Sequence, residues 1–204
     1  MPKDKNDSHK RVLEAAKNEF LEFGFVAASM RRIAKNAGLT VSGLYKHFSS
    51  KEDMFAALVD PAIDAFYALY HSRETEEFGI MESTDKEDYL DDQEATRRIM
   101  HFIYDHIDAF KLIVSGSQGT RYESFAHDVA EMEEATTLRY MEGLKAKGIK
   151  IKDIDIKHFH LLMTGNVEAV LEAVRHDFTR EEALDYAKTL DEFYTPSWKR
   201  FFGA

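Results

Sequence analysis

The stretch SMRRIAKNAGLTVSGLYKHFSSKEDMF, residues 29–55, decides how this chain folds. Ser29 can cap a short helix running to Asn36, with Met30, Ile33, Ala34 and Ala37 on its inward side. Ala37-Gly38-Leu39 then reads as a tight turn, with glycine where a helix end favours it. Thr40 can cap a second, very short helix through His47, with Leu44 and Phe48 facing inward. Ser50 opens a further helix, and Asp53 three residues on resembles a capping box with Asp in place of Glu. Helix, glycine turn and short helix between Ser29 and Phe48 make a helix-turn-helix, the geometry that lets a second helix project into a DNA major groove. Small or polar residues at Thr40, Ser42 and Gly43 allow close backbone approach to bases, while Tyr45, Lys46 and His47 can reach outward to phosphates.

Upstream, a helical pattern runs from about Ser8 to Phe23. Val12, Leu13, Ala16, Phe20 and Phe23 share one face, and Gly24 closes the helix. Downstream, Asp60-Pro61 falls inside a helical pattern, where proline removes a backbone hydrogen bond and predicts a kink or restart. Residues 72–91 are polar and acidic without a sustained period and read as a loop or frayed segment. From about Asp92 the pattern returns as one helix through Ile99, Phe102, Ile103, His106 and Phe110, ending near Ser115. After the break at residues 115–120, helices are expected over about Tyr122–Lys147, Asp153–His176 and Thr179–Phe202. No repeat, low-complexity tract or alternating strand pattern is present in the sequence. The reading is all-α, with about nine helices. A three-helix DNA-binding domain over residues 1–55 joins a helical-bundle effector and dimerisation domain over residues 56–204.

Bulk properties narrow the function classes. The 204 residues include no cysteine, which fits a reducing cytosol and excludes thiol nucleophiles, CxxC redox chemistry and thiolate metal sites. The N-terminal MPKDKNDSHKRVLEAA lacks an apolar signal core, and no window holds the roughly 18–20 apolar residues of a membrane span. A soluble, cytoplasmic protein with no membrane partner is expected. The net charge of −10 divides unevenly: residues 1–51 carry ten Lys/Arg against five Asp/Glu, and the remainder seventeen against thirty-two. A basic end on an acidic body suits a nucleic-acid-facing segment.

The run 29–55 resembles the DNA-binding signature of the TetR family of transcriptional regulators. The Val12–Ala16 start, Phe20 and the Gly24-Phe25 turn agree with it. Position by position, the resemblance implies that Thr40, Val41 and Ser42 lie nearest the base edges. It implies that Tyr45, His47 and Lys51 hold phosphates, with Lys46 a further candidate, and that Ser29 and Arg31 anchor the other side of the groove. A phosphate contact by Lys51 implies that Lys51→Ala lowers the salt slope of DNA binding by about 0.9 per subunit. One departure is that Ser42-Gly43 stand where family members often carry Gly-Thr, so no operator sequence carries over. The family further implies a homodimer on a double-stranded, pseudo-palindromic DNA operator, usually as a repressor, released by a small-molecule effector whose identity the sequence does not give.

The C-terminal half offers a seam and a pocket. On the helix from Asp153, Leu161, Gly165, Ala169 and Ala173 form a face lined with small side chains beside a second, apolar one. A helix apolar on two sides normally has two neighbours. With Leu190, Tyr194 and Trp198 on the last helix, this face reads as a four-helix dimer seam. Tyr67, Met100, His101 and Tyr104 are candidate effector-pocket residues, as are Phe110, Tyr122, Phe125 and Met132. Aromatics at helical spacing read equally well as core. His101 and Asp105 are two possible ligands and do not make a metal site, and His158 and His160 point about 200° apart on a helix. No catalytic motif, metal or cofactor is expected. Two alternatives stand beside the ligand-responsive regulator: a DNA-binding regulator controlled by a protein partner, and a helical enzyme.

Overall fold

The computed structural model describes residues 3–83 and 94–203. Among these the chain forms nine α-helices and no strand: α1 (Lys3–Ala27), α2 (Met30–Asn36), α3 (Val41–Leu44), α4 (Lys51–Ser83), α5 (Ala95–Asp105), α6 (Ile107–Gly116), α7 (Phe125–Ala146), α8 (Ile156–Arg175) and α9 (Arg180–Phe202). The all-α reading of the sequence holds. Two compact units result, one from Met1–Ala65 with His106–Glu123, the other from Phe66–Asp105 with Ser124–Ala204.

The first unit is built on α1. Its stripe Val12, Ala16 and Phe20 is fully buried, as are Ile33 of α2, Leu44 of α3, Met54 and Phe55 of α4 and Phe110 of α6. Phe20 meets the Phe55 ring edge-on at 5.2 Å, and Phe25 meets it similarly at 5.5 Å. Such ring pairs contribute beyond their buried area. Gly24 breaks the regular turn of α1 with φ 70° and ψ 169°, a conformation nearly restricted to glycine. A Cβ there would also lie 3.9 Å from the Gly116 backbone, where α6 packs on α1. Asp60 closes the unit on another side, accepting from the Tyr122 hydroxyl at 2.5 Å and from Arg121 at 3.0 and 3.1 Å. Burial, then Asp60, pushes the Tyr122 hydroxyl up to about 12.

In the second unit α7 packs on α8, α5 on α9 and α8 on α9. One core cluster joins Met81, Met141, Leu144, Phe159, Met163 and Phe202. Another joins Met100 of α5 with Ala173, Ala183 and Ala187, three small residues that let α8 and α9 close on α5. Asp155 caps α8 through the Lys157 and His158 amides, and Thr179 with Glu182 forms a reciprocal capping box on α9.

Three features depart from the sequence reading. Helix α4 continues through Pro61, which is exposed, without restarting; the carbonyl it frees belongs to exposed Ala57, where water can satisfy it. Residues 72–83 are helix, not loop. Arg73 pairs with Glu77 at 2.9 Å, Glu74 accepts from Thr136 and Arg139, and Met81 is buried, so paired charges and sparse apolar anchors replace a continuous stripe. The rest of the 72–91 stretch, and the expected restart at Asp92, lie outside the described residues. Finally, the single helix expected to end near Ser115 is two, split at His106 with φ −121° and ψ 31°. The stripe continues across the break, but α5 spends it on α9 and α6 spends it on α1.

Gly24→Ala is expected to cost about 1–3 kcal/mol of stability, because alanine is strained at this backbone conformation. Chemical denaturation checks this, and an unchanged midpoint would contradict the assigned geometry.

Candidate nucleic-acid interface

The turn into the recognition element is held by a buried carboxylate. Glu19 of α1 is 3% exposed and accepts from the Ser29 backbone N–H and from Arg32 Nε, each at 2.7 Å. Burial alone would raise this carboxyl. Arg32, the Ser29 amide and nearby Lys51 outweigh burial and hold it below its ordinary value. The Arg32 guanidinium also donates to the Ala27 carbonyl and covers the Phe23 ring at 4.2 Å. One side chain of α1 thereby fixes the start of α2.

Ser29 caps α2, and Gly38 supplies the positive φ of the turn at 70°. Thr40 then caps α3, its hydroxyl accepting from the Gly43 N–H at 3.0 Å. Only Val41–Leu44 is α-helical, and residues 45–47 continue as turns, with Tyr45 N–H on Val41 and His47 N–H on Leu44. Leu44 and Phe48 are buried and pin this short segment from below. Its other side is open: Thr40, Ser42, Tyr45 and Lys46 are exposed, and Val41 and His47 half-buried. Arg31 is exposed at the start of α2. Arg31 and Lys46 enter no ion pair among the described residues, which leaves both cations available to an anionic partner.

Lys51 is placed differently from the rest. Its ammonium donates to the carbonyls of Phe25, Val26 and Ala28 at 2.6, 3.2 and 3.2 Å and lies over the Phe25 ring at 4.5 Å. All three protons are spent on carbonyls left at the end of α1, where a cation is favoured. Burial lowers its pKa, opposed by Glu19. The structure thus gives Lys51 contacts that join α4 to α1. Glu19 was missed from sequence, although a carboxylate beside the Val12, Ala16, Phe20 stripe was its signal.

The candidate pocket residues are divided between the two units. Phe110 and Tyr122 belong to the first unit, both buried, with the Tyr122 ring 5.7 Å from Phe55. Of the second unit's residues, Met100 is fully buried among alanines, Phe125 packs on Phe66 at 5.7 Å, and Tyr104 donates to the Ala173 and Phe178 carbonyls. These are core positions. Tyr67, His101 and Met132 are half-buried; the Tyr67 hydroxyl is raised by burial and then by Asp128. On the candidate seam, Leu161 and Gly165 are exposed and Ala169, Tyr194 and Trp198 half-buried. Ala173 and Leu190 are instead 1% and 6% exposed, interior residues of one protomer. Ala173 is used by Met100 of α5, a neighbour the helical wheel of α8 does not reveal. Leu162 and Phe193 are also exposed, at 46% and 66%.

A helix-turn-helix with its short second helix exposed is the arrangement of DNA-binding regulators, and comparison with known proteins finds the same likeness. Residues 12–58 match the family model described as bacterial regulatory proteins, tetR family. The HTH-type transcriptional regulator YdgC of Bacillus subtilis (strain 168) is 27% identical over 171 residues, covering 82% of this chain and 80% of that protein. The HTH-type transcriptional regulator SAR2658 of Staphylococcus aureus (strain MRSA252) is 25% identical over 173 residues, covering 78% and 87%. Among solved structures, the TetR-family regulator PfmR from Thermus thermophilus matches with a TM-score of 0.56 at 21% identity, covering 89% of this chain and 92% of that one. The transcriptional regulator FadR from Bacillus subtilis, in complex with stearoyl-CoA, matches with a TM-score of 0.56 at 13% identity, covering 91% and 97%. Residues 12–58 thus resemble the DNA-binding segment of tetR-family regulators, and the chain as a whole is similar to HTH-type transcriptional regulators.

Two outcomes follow from the frame. Lys51→Met is expected to lower stability by about 1–3 kcal/mol, the range for losing hydrogen bonds from a charged group, while leaving the salt slope of DNA binding unchanged. A slope reduced by about 0.9 per subunit would return Lys51 to the phosphates. Because the Glu19 carboxyl is held below its ordinary 4.5, it contributes stability above that pH that is lost as pH falls through the folded value. Glu19→Gln should therefore flatten the acid limb of the stability profile below about pH 4.5. Parallel limbs would contradict this.

Proposed function

We propose that this regulator is a cytoplasmic, ligand-responsive repressor that binds a pseudo-palindromic operator as a homodimer and leaves it when a small molecule binds. The observation that carries the reading is the exposed edge of Thr40, Ser42, Tyr45 and Lys46 above a buried Leu44 and Phe48. Residues 1–55 act as the DNA-binding domain, with Thr40, Val41 and Ser42 toward bases and Ser29, Arg31, Tyr45, Lys46 and His47 toward phosphates. Residues 56–204 carry effector response and dimerisation. A second copy docks on α8 and α9 at Leu161, Leu162, Gly165 and Phe193, all exposed in the single chain. Two recognition elements spaced by about one DNA turn, roughly 34–36 Å, then read both half-sites. An effector that favours a dimer of another spacing shifts the population off DNA. The stearoyl-CoA bound by the FadR relative supports ligand response in this fold. It does not name the effector of this chain.

The test starts from duplexes selected by the protein from a random library. Arg31→Ala and Lys46→Ala are each expected to reduce the salt slope by about 0.9 per subunit; failure to select any duplex would end the reading. Leu161→Glu combined with Phe193→Glu should sediment as monomer at micromolar concentration where the unchanged protein is a dimer. A dimer persisting in the double variant would place the seam elsewhere.

A further inference from the structure

His9 lies on α1, far in sequence from the recognition element, yet its ring stacks on Phe48 with centroids 4.8 Å apart and an interplanar angle of 24°. The same imidazole stands 5.8 Å from the His47 ring, tilted by 49°. Phe48 is 8% exposed and tied to the core, so it is the fixed member of the three. His47 is half-buried, and its backbone is anchored by the N–H donated to Leu44 at 2.9 Å. Neither imidazole enters a hydrogen bond or ion pair through its ring among the described residues, so ring contact is what confines them. The neighbouring Arg11 places its guanidinium over Gly38, 3.8 Å from where a Cβ would stand. The early turns of α1 thus run along the flank of the recognition element.

We infer that His9 is a positioning residue for operator binding. Its ring walls the His47 imidazole so that it meets a phosphate already oriented, an inference that rests on the reading of His47 as a phosphate contact. An unconfined surface histidine loses rotamer freedom on binding, and confinement beforehand removes that cost. His9 acts through His47 without touching DNA itself.

The test uses the full-length protein and a duplex it has selected from a random library. His9→Ala is expected to weaken binding by about three- to tenfold, the size of an aromatic pair. His9→Phe, which keeps the stack and drops the nitrogens, should bind within about twofold of the unchanged protein, the spread ordinary for a conservative swap. In a His47→Ala background, His9→Ala should cause no further loss. Equal losses for His9→Ala and His9→Phe would overturn the inference by showing that the nitrogens matter. So would a full His9→Ala loss in the His47→Ala background, which would mean that the ring acts through the fold. If His47→Ala alone binds normally, the reading of His47 fails; if it binds weakly while His9→Ala binds normally, only the role of His9 fails.

Discussion

The burial of Glu19 is the constraint on which the helix-turn-helix depends. A carboxylate taken out of water is costly unless its lone pairs are met, and here they meet the Ser29 amide and the Arg32 guanidinium. The arrangement leaves α2 little freedom to start anywhere else. Lys51 completes it from the other direction, bringing α4 onto the carbonyls that end α1. A four-residue helix such as α3 has no stability of its own, since helix nucleation is unfavourable at that length. It persists because Thr40 caps it and Leu44 and Phe48 fasten it to a frame fixed by α1, α2 and α4. The outer side of this segment stays open while its inner side is fully committed.

This division of labour explains what was legible in the sequence. Local chemistry was readable: Gly24, Ser29, Gly38 and Thr40 stand where caps and turns demand them. The exposure of Thr40, Ser42, Tyr45 and Lys46 followed from the inward spacing of Leu44 and Phe48. Long-range chemistry was not readable. That Lys51 closes on the Phe25, Val26 and Ala28 carbonyls could not be read from its place in the sequence.

The C-terminal half shows the same limit at larger scale. Its helices were legible from their stripes, but a stripe does not name its neighbour. Ala173 reads as part of a small-residue face, yet that face turns toward Met100 at this point and toward solvent at Gly165. The break at His106 is invisible for a related reason, since residues on both sides remain apolar at helical spacing. Residues 72–83 hide their helix behind charge, where pairs such as Arg73 with Glu77 do what a hydrophobic stripe does elsewhere.

The absence of cysteine from the chain makes one measurement especially direct. With Ser42→Cys as its only thiol, the protein can be alkylated at the recognition segment with and without a duplex selected from a random library. Ser124→Cys, exposed at the start of α7, serves as the control. Saturating duplex should slow alkylation at position 42 by about tenfold or more, corresponding to about 1.4 kcal/mol of protection, and leave position 124 unchanged. Equal rates at position 42 with and without bound duplex would contradict the claim that DNA is received there.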